Sequence, residues 1–318
     1  MRGRGGARGG ARGGRAPTTP WNRLKPVELD PLESMGLPSK GDHRLLDLKT
    51  QERYYTKIVE RYMTFCSDAG ERDELLRRFA SLDLSSSNRE KVNAVALKST
   101  GHAPPDTAPP RPSTAPNTIP NNTQGLSDVL SALRKLREGI VASKRADDFA
   151  IQAYLFCIRL SILVKHHESF HPAILHLLRR IHPVHSMTTV ELSEVVGYLI
   201  LDTACRRNSL AEAYALRHRY RLKDAKIDAV LDALVHDNYV EFQRVKRRVD
   251  GHRAKLIEYA EDGMRKHLLK CFGRTYLSID LGFLETCADS DWTRLIAEDG
   301  VGWELDDNKV VIRKIKAR

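Results

Sequence analysis

Cations hold most of the chemistry available in this 318-residue chain, and they sit in two places. Residues 1–16, MRGRGGARGGARGGRA, carry Arg2, Arg4, Arg8, Arg12 and Arg15 among seven glycines and no acid. A guanidinium stacks on bases and pairs with phosphate, while glycine lets the backbone follow a strand, so such a tract suits RNA. A flexible solubilising extension is the other use of the same composition. The second place is residues 206–274, with 17 basic against 10 acidic side chains. There Arg206, Arg207, Arg217, Arg219, Arg221, Lys223 and Lys226 border two apolar-striped segments, and Arg244, Lys246, Arg247 and Arg248 follow an Asn238-Tyr239 step. The apolar positions must face a core, which leaves the cations for the opposite face. The phosphates of RNA or DNA would bind such a face without sequence readout and with steep salt dependence, and an acidic protein is the alternative partner.

Other constellations offer less. His166, His167, His171, His176, His182 and His185 crowd into twenty residues, and His167 and His171 are spaced to share a helix face as metal ligands. Pro172 follows directly and no Cys lies nearby, so the run reads as a solvated helix end and no metal is expected. The chain has no G-x-x-x-x-G-K-[ST], G-x-S-x-G or H-E-x-x-H, and no G-x-G-x-x-G that follows a strand. The glycine-rich start cannot cradle a phosphate as those loops do, because no strand precedes it and no helix follows. A non-enzymatic protein is expected, with no cofactor and no small-molecule substrate. Five scattered cysteines, Cys66, Cys157, Cys205, Cys271 and Cys287, read as reduced thiols of an intracellular protein. No run approaches the roughly 18 apolar residues of a membrane span, and the N-terminus lacks the apolar region of a secretory signal.

The elements that must position these residues are mostly helical. Residues 1–43 read as a disordered Arg/Gly- and Pro-rich tail carrying Trp21. Residues 44–83 form an N-terminal helical segment, with Tyr54, Tyr55, Ile58, Val59, Tyr62, Met63 and Cys66 at three- and four-residue steps and Leu75, Leu76 and Phe79 beyond Gly70. Seven of the fourteen prolines fall between Pro104 and Pro120, so 84–125 reads as a disordered linker that separates this piece from the main domain. From Leu126 to residue 253, apolar stripes recur helix after helix, and 150–164 is apolar almost all round, as a central helix is. Another helix spans about Ala254 to Cys271. After it come a β-prone run into Ile279, helices near 281–287 and 291–298, and a hairpin from Gly302 to Arg313 turning at Asp306-Asp307-Asn308. Helix, strand, helix, helix, hairpin is the order of a winged helix, placed at 254–318.

Val235-His-Asp-Asn-Tyr-Val-Glu-Phe-Gln-Arg-Val and Met264-Arg-Lys-His-Leu-Leu-Lys-Cys-Phe-Gly-Arg-Thr-Tyr-Leu-Ser-Ile-Asp-Leu-Gly-Phe-Leu carry a family resemblance. Helical repeats closed by a winged helix with these two junctions resemble the PCI domain of scaffold subunits in the proteasome lid, the signalosome and initiation factor three. The nearest branch in pattern is the GANP-type mRNA-export scaffolds. The resemblance implies a mostly α fold, a helical-repeat bundle followed by a C-terminal winged helix. It further implies a scaffold subunit of a multiprotein complex in nuclear RNA processing or mRNA export, with RNA as a further partner. The expected nucleic-acid contacts are the five tail arginines with Arg217, Arg219, Arg221, Arg244, Lys246, Arg247 and Arg248. The second winged-helix segment, Asp289 to Asp299, holds four acids and one Arg, so phosphate would repel it. That module should instead meet other subunits through Trp303, Leu305 and Val311. A structural subunit of a proteasome-lid, signalosome or initiation-factor complex, without nucleic acid and in the cytoplasm, is the alternative.

Overall fold

The computed structural model describes residues 30–69 and 121–313. The Arg-Gly tract, Trp21, residues 75–79, the Pro104–Pro120 run and residues 314–318 lie outside them. Helix α1 spans Leu48–Ala69, α2 Asn121–Ala142, α3 Asp148–Leu163, α4 His167–His176 and α5 Thr189–Leu201. They continue as α6 Leu210–Arg219, α7 Ala225–Val235, α8 Tyr239–Lys246 and α9 Gly251–Thr275. Strand β1 (Ser278–Asp280), α10 (Leu281–Ala288), α11 (Trp292–Ala297), β2 (Glu304–Asp306) and β3 (Lys309–Val311) complete the chain. The described part is mostly helical with one small sheet, as the apolar periodicity requires.

Short polar side chains fix where the helices begin. Asp147 accepts from Ala150 N at 2.9 Å, Asn238 from Glu241 N at 3.1 Å, and Asp280 from Phe283 N at 3.0 Å. Thr188 and Glu191 exchange bonds in a capping box at the head of α5. Each cap satisfies a first-turn N–H and is worth about 1 kcal/mol. Left-handed residues reverse the chain after a helix, including Lys144 after α2, Lys165 after α3, Arg221 after α6 and Asp237 after α7.

Helix α3 is buried on nearly every face, with Tyr154, Ile158, Leu160 and Ile162 in the first core. The N-terminal segment, set apart in sequence, is not set apart in space. Tyr54, Ile58 and Phe65 of α1 enter the same core as Leu126, Val129, Leu133 and Leu136 of α2. Tyr54 Oη donates to the Leu32 carbonyl at 2.9 Å, and Gln51 Nε2 donates to the Leu45 carbonyl at 2.8 Å. Arg145 reaches back to Glu52 at 2.6 Å. Helix α2 starts at Asn121, inside the stretch read as linker, because adding a polar turn to an existing helix needs no new nucleus.

Helix α9, 25 residues long, belongs to both cores. Its Leu256, Ile257 and Met264 pack into the first, while Leu269 joins Ile279, Leu284, Ala288, Leu295 and Val310 in a second. The sheet order is β1-β3-β2, antiparallel throughout, with Val310 opposite Ile279 on one side and Leu305 on the other. Arg265 of α9 is 2% exposed and its Nε donates to Asp299 at 2.7 Å, a carboxylate also only 2% exposed. Nη2 of the same guanidinium donates to Asp262 at 2.6 Å.

Two outcomes follow from this packing. Asp299→Ala leaves the buried guanidinium with only the solvent-exposed Asp262 and should cost about 3 kcal/mol in urea unfolding, whereas Arg265→Met with Asp299→Leu should recover most of the loss. A Cβ at Gly139 would stand 2.8 Å from both the Cβ and the carbonyl oxygen of Leu45, so Gly139→Ala should loosen α2 from the Leu45 turn. That variant should lower the thermal midpoint although alanine favours helix.

Candidate nucleic-acid and protein interfaces

The basic segment folds as four consecutive helices, α6 to α9, and most of its cations are spoken for. Arg217 of α6 forks onto Asp228 of α7, with Nη2 2.7 Å from Oδ2. Arg244 meets Glu241 one turn back at 2.5 Å, and Arg247 reaches Asp289 at 3.3 Å. Arg206 and Arg207 pair with Asp202 and Glu212 at 2.5 and 2.9 Å. Arg219 and Arg221 are exposed and belong to no ion pair among the described residues, nor do Lys223 and Arg248. Arg219 lies 5.8 Å from the centre of the Tyr220 ring. The cations therefore do not form one uninterrupted face: α6 and α8 carry neutralised pairs, and the free charge collects at the turns.

Lys246 is the furthest from a solvent-facing cation. Its Nζ donates to Glu261 at 2.7 Å, with both side chains under 20% exposed. The same carboxylate accepts from Gln243 Nε2 at 3.3 Å, and Gln243 also donates to Tyr239 Oη at 2.9 Å. Tyr239 Oη in turn donates to the Ala288 carbonyl at the end of α10, 2.8 Å away. This chain of bonds ties α8 to α9 and to the C-terminal module. Burial works against the Glu261 carboxylate, but Lys246, Gln243 and Arg265 outweigh it and hold its pKa below the ordinary 4.5. Burial drives the Tyr239 hydroxyl up to about 12, so it donates at neutral pH.

The module's three expected interface residues separate. Leu305 is exposed on the edge strand β2. Trp303 packs against the second core, and Val311 is half-buried in β3, the central strand. Tyr276, Leu277 and Phe283 are exposed besides, with the Phe283 ring 6.3 Å from Phe272 and that of Phe272 5.5 Å from Tyr276. Tyr276, Leu277 and Phe283 are not among the interface residues expected from sequence; their exposure is set by how the module folds. The five tail arginines lie outside the described residues.

The six histidines are dispersed. His171 Nδ1 stands 2.8 Å from the wholly buried Asp202, which also holds Arg206 at the head of a π turn, Asp202–Arg206. His185 pairs with Asp148 at 2.7 Å, and His176 stacks on Tyr154. Burial lowers the pKa of His166 and of His176, the latter helped by Arg180 and Arg137. Among the described residues no group of three His, Cys, Asp or Glu side chains is placed to hold a metal ion. No described helix is long and apolar enough to cross a membrane. Cys157 and Cys205 are buried, and burial pushes both thiols up, that of Cys205 to about 12.

No protein-family model matches this chain, and no curated protein matches it.

Glu261→Gln checks the α8–α9–α10 tie. Because the folded carboxylate has the lower pKa, its stabilisation is present above about pH 4.5 and is lost as pH falls through the folded value. The variant should unfold about 1–3 kcal/mol more easily at pH 7. In urea titrations that deficit should shrink below about pH 4.

Proposed function

We propose that the chain is a non-enzymatic scaffold subunit of a multiprotein complex, of the PCI type, acting in nuclear RNA processing or mRNA export. The observation that carries this reading is the long α9 helix, which runs out of an array of helical hairpins into a strand, two short helices and a hairpin. That order of elements supports the reading of a helical-repeat array closed by a winged helix. The helical array offers long faces for partners, and the outward Leu305 and Phe283 of the terminal module offer apolar footing for another subunit. The acidic α11 neighbourhood, with Asp289, Asp291 and Glu298 exposed, disfavours DNA reading by that module. RNA contact falls to the Arg-Gly tract and to the exposed cations of the 206–248 segment.

One observation favours the second reading, a structural subunit of a proteasome-lid, signalosome or initiation-factor complex in the cytoplasm without nucleic acid. Arg217, Arg244, Lys246 and Arg247 are all engaged by acids of the same chain. Cations neutralised in this way contribute less to counterion release.

Filter retention of single-stranded RNA by the full chain should show binding at low salt that falls steeply as salt rises. No retention at about 50 mM salt would remove the first reading in favour of the second. Leu305→Glu with Phe283→Glu should release at least one protein that co-purifies with the native chain. An unchanged set of partners would remove the terminal module as the docking face.

A further inference from the structure

The turn between α6 and α7 and the turn between α8 and α9 lie side by side. Lys226, in the first turn of α7, donates its Nζ to the Arg248 carbonyl in the second turn at 2.8 Å. Arg253 of α9 bridges the same two turns, meeting Asp224 at 2.9 Å and Asp250 at 3.2 Å. Those two aspartates are the acids of the corner, and both are turned to structural use. Besides holding Arg253, Asp224 caps α7 at the Lys226 and Ile227 amides, and Asp250 caps α9 at the His252 and Arg253 amides.

Asp250 keeps about half of its side chain exposed, and the other outward charge is positive. Arg219, Arg221, Lys223, Lys226 and Arg248 are all exposed, and none forms an ion pair among the described residues. Arg221 is held on its turn in the left-handed conformation, φ 50°, and Arg219 rests near the Tyr220 ring. Neighbouring helices stand about 8–10 Å apart, so cations on the two turns are close enough to meet more than one phosphate of the same strand.

We infer that this corner is a phosphate-backbone site for single-stranded RNA, built from Arg219, Arg221, Lys223 and Arg248 and braced by Lys226 and Arg253. The inference rests on the RNA reading above and moves the contact from the helix faces to the turns. Nothing at the corner presents a donor–acceptor pattern suited to base edges, so it binds without sequence preference. Arg219 beside Tyr220 adds a planar surface for a stacked base.

The test uses a fluorescent oligouridylate and the full chain with its tail arginines intact. Arg219, Arg221, Lys223 and Arg248 are changed together to Gln, and the control changes Arg53, Lys57, Arg179 and Arg180 to Gln, an equal loss of charge at exposed positions elsewhere. The corner variant should bind about a hundredfold more weakly at 0.1 M salt, with its log–log salt slope shallower by about 3, since each single-strand phosphate contact contributes about 0.7. The control should change little. Arg219→Lys, Arg221→Lys and Arg248→Lys together should retain most binding, and circular dichroism should be unchanged in every variant.

Equal weakening by both sets would overturn the site in favour of net charge alone. Undiminished binding by the corner variant would overturn the site and leave the RNA reading standing on the tail. Wild-type chain that binds no oligouridylate would overturn both. Displacement of the RNA by polyglutamate at lower concentration than by unlabelled oligouridylate would assign the corner to an acidic protein and overturn the inference.

Discussion

Arg265 and Asp299 are each almost wholly buried and lie 2.7 Å apart, and the rest of the molecule is arranged around the helix that carries the arginine. A guanidinium removed from water is expensive unless a carboxylate meets it, and the carboxylate pays the same penalty alone. The pair therefore allows one arrangement of the C-terminal module on α9 and disfavours others. Because α9 also supplies Leu256 and Ile257 to the larger core, fixing the module on α9 fixes it on the array. The chain of bonds from Ala288 through Tyr239 and Gln243 to Glu261 and Lys246 is a second clamp across the same joint.

The distribution of charge follows the same logic at larger scale. A net charge of +11 suggests a cationic surface, yet the described helices neutralise much of theirs locally. Arg217 with Asp228, Arg244 with Glu241 and Lys246 with Glu261 convert charge into inter-helix ties. At the turns Asp224 and Asp250 are engaged by Arg253, and Arg219, Arg221, Lys223 and Arg248 stay without an acid among the described residues. Basic residues there also complement the carbonyl ends of α6 and α8, which gives them a role in stability before any ligand arrives. The unpaired ones are the charge a polyanion would meet.

Much of this was legible from residue order. The stripes at Leu130, Leu133 and Leu136 and the all-round apolar run of α3 are local signals that survive folding, and the hairpin turns at Asp307-Asn308, with Asp306 still in β2. The cationic segment was legible as a composition, but its pairing was not. Glu241 and Arg244 are three apart and could be read as a helical pair, while Arg217–Asp228 and Lys246–Glu261 depend on where neighbouring helices cross. The attachment of α1 to α2 was also hidden, because about fifty intervening residues say nothing about where the ends meet.

Taken by itself, the sequence determined the helices, their caps and the order of the terminal elements, because each depends on interactions within a few residues. It also determined that no long apolar run is present and that cations gather in two stretches. Tertiary structure decided which cations are spent and which are free, that Leu305 and Phe283 face outward while Trp303 packs inward, and that the histidines stand apart. These outcomes turn on long-range approach: burial and ion pairing are properties of neighbours in space, and spacing along the chain constrains those neighbours only within a turn or two.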